Sequence, residues 1–495
     1  MSTLSELLPA GGGGATADFV ASGTLPNGSP VILKSDGTVV AVAQSGGGSA
    51  NIPSSPEIVF STSIRDSAIA FDPNTADKFV AIYQDYSNSQ NSTAVVGTVS
   101  GSTITFGTPV VFESSQTGAQ FDVAFDPNTA NKFVIVCRIS LGLAIVGTVS
   151  GTSLSFATPV AFNSVTTQAP SISFDPNNSG KFVIAYVDTG GSGKGEAIVG
   201  TLSGTSLSFS TSLAFNTGNN ADDTVVAFDP NTANSFVIAY KDTAGDGTAI
   251  VGTVSGTSLS FGTAVIFNSG SSSAGISIAF EPNTANRFII SYTAQNNNGY
   301  GTVSVGTVSG TSVSFATKVV FNSATSVRTG IAFDPAGSNS FVVSYGDNGN
   351  SSANTVILGT LSGTTASFGS SFVMNAGLTF AYSPVSFNAG TAGQFILVYR
   401  DAANSSKGTV RLGQLAVANT NLTATNFIGI ATESTSSGDT ATISVQGGLS
   451  TNQTGLTIGA TYYVQPAGTL ATSAGTPSVE AGKALSATNL LIKDL

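Results

Sequence analysis

Short apolar stretches built from Val, Ile, Ala and Phe alternate with clusters of Gly, Ser, Thr, Asn and Asp through most of the chain. Stretches of this length, bounded by turn residues and rich in β-branched and aromatic side chains, predict strands rather than helices. Between Thr224 and Phe267 the pattern resolves into four of them. Thr224–Phe228 is followed by Asp229-Pro230-Asn231, a type I turn with Asp in first place and Pro fixing φ in second. Phe236–Tyr240 is apolar without interruption, so both of its faces are expected to be covered. Ala249–Val254 comes third, Ser-Gly-Thr turns the chain, and a fourth strand runs through Phe261 to Phe267.

The same unit recurs. A Phe-Asp-Pro-like punctuation begins at Phe71, Phe125, Phe174, Phe228, Phe280 and Phe333, with a degenerate copy at Phe387, at spacings of 54, 49, 54, 52, 53 and 54 residues. Gly97-Thr-Val-Ser-Gly101 returns in near-identical form from Gly147, Gly200, Gly252, Gly306 and Gly359, and decays at Gly413. Units of about fifty residues, each of four strands, predict an all-β, seven-bladed β-propeller. The residue before each motif Phe is Ala70, Ala124, Ser173, Ala227, Ala279, Ala332 or Ser386. Uniformly small residues fit innermost strands that converge on a central channel.

Closure is legible too. Fourth strands end in apolar pairs such as Val111-Phe112, Ile266-Phe267 and Val373-Met374, but the unit after Phe387 runs into Ala416-Val-Ala-Asn-Thr420 without one. Upstream, Pro56-Glu57-Ile58-Val59-Phe60-Ser61 matches Pro109-Val-Val-Phe112-Glu-Ser114. We expect this N-terminal strand to complete the last blade and so pair two otherwise open edges. The arrangement resembles the one-plus-three closure of WD-repeat propellers, although the WD dipeptide and the kelch glycine pairs are absent; it covers about residues 55–418.

The flanks read as a small terminal β domain. Gly28-Ser-Pro-Val-Ile-Leu33 with Asp36-Gly37-Thr38-Val39 parallels Gly459-Ala-Thr-Tyr-Tyr-Val464 with Ala467-Gly468-Thr469-Leu470, both as hairpins with a Gly turn. The expected division is a flexible segment 1–17, a hairpin and linker 18–54 that packs with the C-terminal end, the propeller 55–418, and a β domain 419–495. Glycine runs at 11–14 and 46–48 serve as joints. Asn426-Phe-Ile-Gly-Ile-Ala431, Gly455-Leu-Thr-Ile-Gly459, Thr461-Tyr-Tyr-Val464 and the stretch from Val479 to Ile492 resemble the terminal β-modules of virion proteins from tailed bacteriophages, especially fibre and decorating proteins of marine phages. That resemblance covers roughly 75 residues and implies a virion component released by lysis; it carries over no catalytic or binding residue.

Composition narrows the chemistry. Only 9% of residues are charged, the formal net charge is −11, and 16 Lys and Arg are spread over 495 residues, which opposes nucleic acid as a partner. No apolar run approaches the roughly 18 residues of a membrane span, and the N-terminus lacks the basic and apolar regions of a secretory signal. With no His and a single Cys, the commonest general base, the commonest metal ligand and an internal disulfide are all missing. No metal or cofactor is expected.

Repeated carboxylates are read as structural first. Asp72, Asp126, Asp175, Asp229 and Asp334 precede Pro in a turn and should cap it. Asp85, Asp188, Asp242, Asp347 and Asp401 follow the second strand, where strand-end hydrogen bonding is the plainer reading; cation binding at Asp242-Thr-Ala-Gly-Asp246-Gly247 is the alternative. Cys137 takes the place of Tyr83, Tyr186, Tyr240, Tyr292, Tyr345 and Tyr399 and reads as a packed thiol. A sialidase-like propeller would need an arginine cluster and Asp-box repeats, which are not evident, and nothing selects a glycosidase carboxylate pair.

One asymmetry points to function. Turns between first and second strands, and between third and fourth, barely change between copies, whereas the other connections vary, and variable loops on a rigid scaffold are where binding resides. That face carries the candidate ligand-binding residues Arg65, Tyr86, Arg138, Asp222, Asp223, Tyr300, Arg328, Phe380 and Tyr382. The expectation is a non-enzymatic virion protein, a tail fibre, decoration or host-adhesion subunit, oligomeric in the particle. Its partners would be other virion proteins and a host-surface glycan or protein. The alternatives are a bacterial surface lectin and a propeller glycosidase.

Overall fold

A computed structural model describes residues 15–42, 55–114, 120–139, 141–190, 193–216, 218, 221–270, 273–336, 339–376, 384–415, 421–465, 468–475 and 477–493. These contain strands and three short 3-10 turns and no α-helix. The chain divides into two compact units, residues 49–415, and residues 1–48 with 416–495.

In the larger unit one antiparallel sheet shows the logic of all. Its strands are Thr167–Phe174, Lys181–Asp188, Lys194–Ser203 and then Ser206–Phe209 with Leu213–Asn216. Phe174 lies opposite Phe182, Phe182 opposite Gly200, and Gly200 opposite Phe209. The Phe182 ring covers the Gly200 backbone so closely that a Cβ there would fall 2.1 Å from ring atoms. Phe174 and Phe209 flank it, with ring centroids 5.1 and 6.1 Å away. The punctuating Phe and the first glycine of the five-residue element are therefore two ends of one aromatic row, and the same row runs Phe71, Phe79, Gly97, Phe106 and Phe228, Phe236, Gly252, Phe261. Second strands are buried on both faces, as their continuous apolarity requires.

The fourth strand departs from expectation. In the sheet containing Phe261 it is broken into Ser258–Phe261, which pairs with the end of Gly247–Ser255, and Val265–Asn268, which pairs with its start. The expected apolar pair is likewise split between environments: Val111, Ile266, Val320 and Val373 are exposed, while Phe112, Phe267, Phe321 and Met374 are buried. Alternation on an outer strand puts one of each pair into the core and the next outside.

Innermost strands share a channel. Ala124, Ser173, Ala279, Ala332 and Ser386, all from the column of small residues, line a common cavity with the prolines of the adjoining turns. The turn carboxylates lock neighbouring sheets together. Asp72 accepts from Asn74 N–H of its own turn at 2.9 Å and, with its other oxygen, from Asn131 N–H of the next sheet at 2.7 Å. Asp175 and Asp229 make the same double contact, to Asn177 and Asn234 and to Asn231 and Asn286. Where Glu281 stands in place of Asp, its buried carboxylate pairs with Arg287. The sheet of Val385–Phe387, Gln394–Asp401 and Lys407–Gln414 takes Ile58–Ser61 as its outer strand, Val59 opposite Thr409.

In the smaller unit two five-stranded sheets have one topology. The first is ordered Thr16–Val20, Thr440–Ser444, Phe427–Ala431, Pro30–Leu33, Val39–Ala41; the second, Leu449–Ser450, Leu490–Ile492, Val479–Ala484, Thr461–Val464, Leu470–Ala471. Numbered along the chain, each reads first, fifth, fourth, second, third. Hydrogen bonds repeat as well. Leu25 N–H donates to Thr435 O at 2.9 Å and Leu456 N–H to Ala487 O at 3.0 Å; Gly28 to Ala431 at 3.0 Å and Gly459 to Ala484 at 2.8 Å; Lys34 to Thr38 at 2.9 Å and Gln465 to Thr469 at 2.8 Å. Gly429 and Gly482 occupy equivalent close approaches, where a Cβ would meet Ser444 O at 2.0 Å and Leu491 O at 1.9 Å. The two sheets share a core of Ile32, Phe427, Ile430, Val464, Ala481 and Ile492. This unit is thus a duplicated module, and the larger unit lies between the third and fourth strands of its first copy.

Candidate functional site

Most of the inner strands of the larger unit begin irregularly. Register shifts lie between Ile64 and Ser67, Gln168 and Ser171, Asp222 and Val225, Ala274 and Ser277, and Val327 and Gly330. Within these bulges Ala169, Asp223, Gly275 and Arg328 have φ of 44°, 47°, 57° and 54°. For the three non-glycine residues this left-handed backbone costs about 1–3 kcal/mol each, a kind of strain that concentrates at functional sites. The fifth residue before the motif Phe lines the channel mouth at Asp66, Ala169 and Asp223, on bulged strands, and at Gln120, on a regular one. The third residue before each Phe follows below, namely Ala68, Asp122, Ser171, Val225, Ser277, Gly330 and Pro384.

Together these positions line a cavity of 310 Å³ at the end of the channel opposite the proline turns. The two cavities share no lining residue. Polar side chains in the upper one reach sideways to the next inner strand. Gln120 Oε1 accepts from Ala169 N–H at 2.8 Å, Asp122 Oδ2 from Ile172 N–H at 2.9 Å, Ser171 Oγ from Val226 N–H at 3.2 Å, Asp223 Oδ2 from Gly275 N–H at 3.0 Å and Ser277 Oγ from Ile331 N–H at 3.3 Å. Ser171 also donates to Asp122 at 3.0 Å, so one hydroxyl and one carboxylate tie three inner strands together.

Burial pushes the Asp122 carboxyl up to about 6, against the three hydrogen bonds it accepts. Asp66 is also raised by burial, with Arg65, Arg328 and Arg400 pulling the other way. Asp223 is raised by burial and by its neighbour Asp222, opposed by the Gly275 hydrogen bond, Lys241 and Arg328. The mouth is therefore a ring of mixed polarity in which Arg328 serves both Asp66 and Asp223. Two hydroxyls in the cavity wall, Ser67 Oγ and Thr224 Oγ1, are buried without a hydrogen-bond partner.

Of the residues singled out from sequence, Asp223 lines the cavity; Asp222, bound to Lys241 at 2.7 Å, and Arg328, whose charge acts on Asp66 and Asp223, lie beside it. Arg65 Nη1 donates to Tyr86 Oη at 3.3 Å, and its Nε lies 3.8 Å from the half-buried Asp66 at the mouth. Arg138 is the register partner of Gln120, with its Nε buried and unpartnered. Tyr300 does not join them: it starts a third strand opposite Ala294 and Thr325 and is not among the cavity's lining residues. Phe380 and Tyr382 lie outside the described residues. Asp66, Gln120, Asp122, Ser171 and Ser277 were not picked out from the sequence. Their signal is two columns, five and three residues before the motif Phe, in the strand rather than in a loop.

The strand-end carboxylates are occupied by their own turns. Asp85 accepts from Ser87 N–H at 3.0 Å, Asp347 from Gly349 N–H at 3.0 Å and Asp401 from Asn404 N–H at 3.2 Å. At the alternative cation loop, Asp242 accepts from Ala244 and Asp246 N–H and from Thr248 Oγ1, and Asp246 accepts from Gly270 N–H. Those bonds account for the residues that cation binding would have used. Cys137 is buried and its thiol is pushed up to about 12 by that burial, with Glu113 adding to it, which leaves it packed and unreactive.

Neither a protein-family model nor a curated protein sequence matches the chain. Solved structures do. BP39L lectin from Burkholderia pseudomallei superposes with a TM-score of 0.56 at 12% identity, over 73% of this chain and 99% of that one. A chain of the mitotic checkpoint complex gives 0.50 at 8%, over 74% and 93%. The larger unit is a β-propeller. At these identities the likeness extends to the fold alone. Sqt1 from Chaetomium thermophilum is also similar, with a TM-score of 0.45 at 13% identity over 74% of this chain and 85% of that one. In propeller terms, the clasped proline turns form one face and the strained channel mouth opens on the other.

Proposed function

We propose that the propeller has seven blades, closed one-plus-three by Ile58–Ser61, and that the protein is a non-enzymatic binding protein whose variable-loop face recognises a cell-surface glycan. The observation that carries this reading is the inequality of the two faces. On one, the repeated turn carboxylates are consumed in clasps between blades. On the other, the charged and aromatic residues that break the repeat collect around one opening: Arg65 with Tyr86, Asp222 with Lys241, and Asp66, Asp223 and Arg328. Carboxylate, amide and hydroxyl groups beside an aromatic face are the chemistry of sugar recognition, and a structure of this fold carries the name lectin.

The setting we propose follows the terminal module's resemblance: a virion subunit whose propeller contacts the host. A glycan array probed with the intact protein tests the binding. The expected result is retention of a subset of glycans without release of reducing sugar, reduced about tenfold by Arg65→Ala with Tyr86→Ala at unchanged melting temperature. No retained glycan, or sugar release, would overturn it. Mass spectrometry of purified particles tests the setting, since absence from the particle removes the virion role.

A further inference from the structure

The loop-face reading leaves open where on that face a ligand is read, and the channel mouth answers it. Its 310 Å³ cavity lies at the lower limit of small-ligand pockets, about 300 Å³, and suits one sugar ring rather than an extended chain. Its wall offers every type of hydrogen-bonding group a sugar uses: the Asp66, Asp122 and Asp223 carboxylates, the Gln120 amide and the Ser171 and Ser277 hydroxyls. Phe121 adds half-buried apolar surface. The bulges in this wall hold left-handed backbone at Ala169 and Asp223, the kind of strain that recurs at ligand sites.

Charge decides the ligand class. Three carboxylates repel an acidic sugar. A simple amine would be drawn to them, but Asp122 and Asp223 already accept backbone N–H groups, and the Arg328 charge already acts on both Asp66 and Asp223. We propose that this cavity is the primary subsite and takes the terminal residue of a glycan, a neutral sugar, entering end-on. The proposal rests on the glycan-binding reading above and locates it.

The test is calorimetric titration of the intact protein with methyl glycosides of glucose, galactose, mannose and N-acetylglucosamine, with N-acetylneuraminic acid and putrescine as contrasting probes. Two variants alter the cavity. Gln120→Glu keeps the acceptor for Ala169 N–H while replacing the amide donor with a charge, and Val225→Phe fills the space. At least one neutral glycoside should bind with a Kd of about 1 mM or tighter. Both variants should weaken that binding at least tenfold while their melting temperatures stay within a few degrees of the parent. Preference for N-acetylneuraminic acid or putrescine would overturn the ligand class. Undiminished glycoside binding in both variants would overturn the location while leaving glycan binding by the loop face intact. Retention of no sugar or glycan by the parent protein would remove both readings.

Discussion

Cys137 and Phe121 face each other in the register of one sheet, and they have exchanged bulk. In the neighbouring blade Ser67 stands opposite Tyr83, and elsewhere a fourth-strand Phe packs against such a Tyr, as Phe162 does on Tyr186 at 5.2 Å. Phe112 has no Tyr at Cys137 to meet and packs against Phe121 instead, at 6.0 Å. Restoring Tyr at 137 alone should overpack the site and cost about 1–3 kcal/mol in denaturant unfolding, whereas Cys137→Tyr with Phe121→Ser should recover most of it. Asp122 makes a second residue-scale prediction. Its folded pKa of about 6 lies above the roughly 3.9 of an unfolded Asp, so below pH 4 the group is neutral in both states and costs nothing. As pH rises from 4 to 6 the unfolded chain ionises first and stability falls, and above 6 the full penalty of about 3 kcal/mol applies. Unfolding curves at pH 4, 5, 6 and 7 should therefore fall more steeply for the parent than for Asp122→Asn. The packed thiol at 137 could be read from one blade's departure from a repeat. Its partner Phe121 and the channel-facing Asp122 could not, because they signify only when strands are stacked by register.

Six units of the propeller are built around a pentapeptide whose two glycines have different reasons to exist. Gly200 lies under the Phe182 ring, where an added Cβ would meet aromatic carbons at 2.1 Å; Gly204 has φ of 62° with nothing within 4 Å of a Cβ. Gly200→Ala should therefore displace a ring anchored between two others and cost more than about 3 kcal/mol. Gly204→Ala should cost about 1 kcal/mol, through backbone strain alone. Equal costs would mean that the ring yields easily. The recurrence of this element, the strands and the turns was legible because each is a local pattern of a few residues. The split of the fourth strand was not. Gly262 N–H donates to Val251 O at the break, a cross-strand contact that no local pattern announces. The outer strand Ile58–Ser61 is another such element: its Phe60 ring packs on Tyr83 at 5.1 Å and on Phe106 at 5.6 Å. Phe60→Ala should lower the unfolding free energy of the propeller by about 3 kcal/mol.

At the scale of the molecule, the duplicated module and the propeller stand in the relation of host and insert. Sequence revealed the paired hairpins at Gly28–Val39 and Gly459–Leu470, because their glycines keep the same offsets. The matching fourth and fifth strands were hidden, since in the first copy they follow the whole propeller and in the second they follow directly. The second copy bridges its third and fourth strands with the short stretch 472–478. Joining residues 15–42 to 421–493 through a loop of that kind should give a small protein that unfolds cooperatively, with retained β-sheet circular dichroism; an unfolded product would show that the module depends on its insert. The short stretch between the third and fourth strands of the second copy also bears on the binding reading proposed above. On that reading, a chain with one occupied position would bind through a single head, whereas grafting a second propeller into this stretch would give it two. Two such heads on one surface raise avidity by about 100-fold or more without any new contact, provided the geometry lets both engage. On that reading, valency would be set by how many of two equivalent connections carry a propeller.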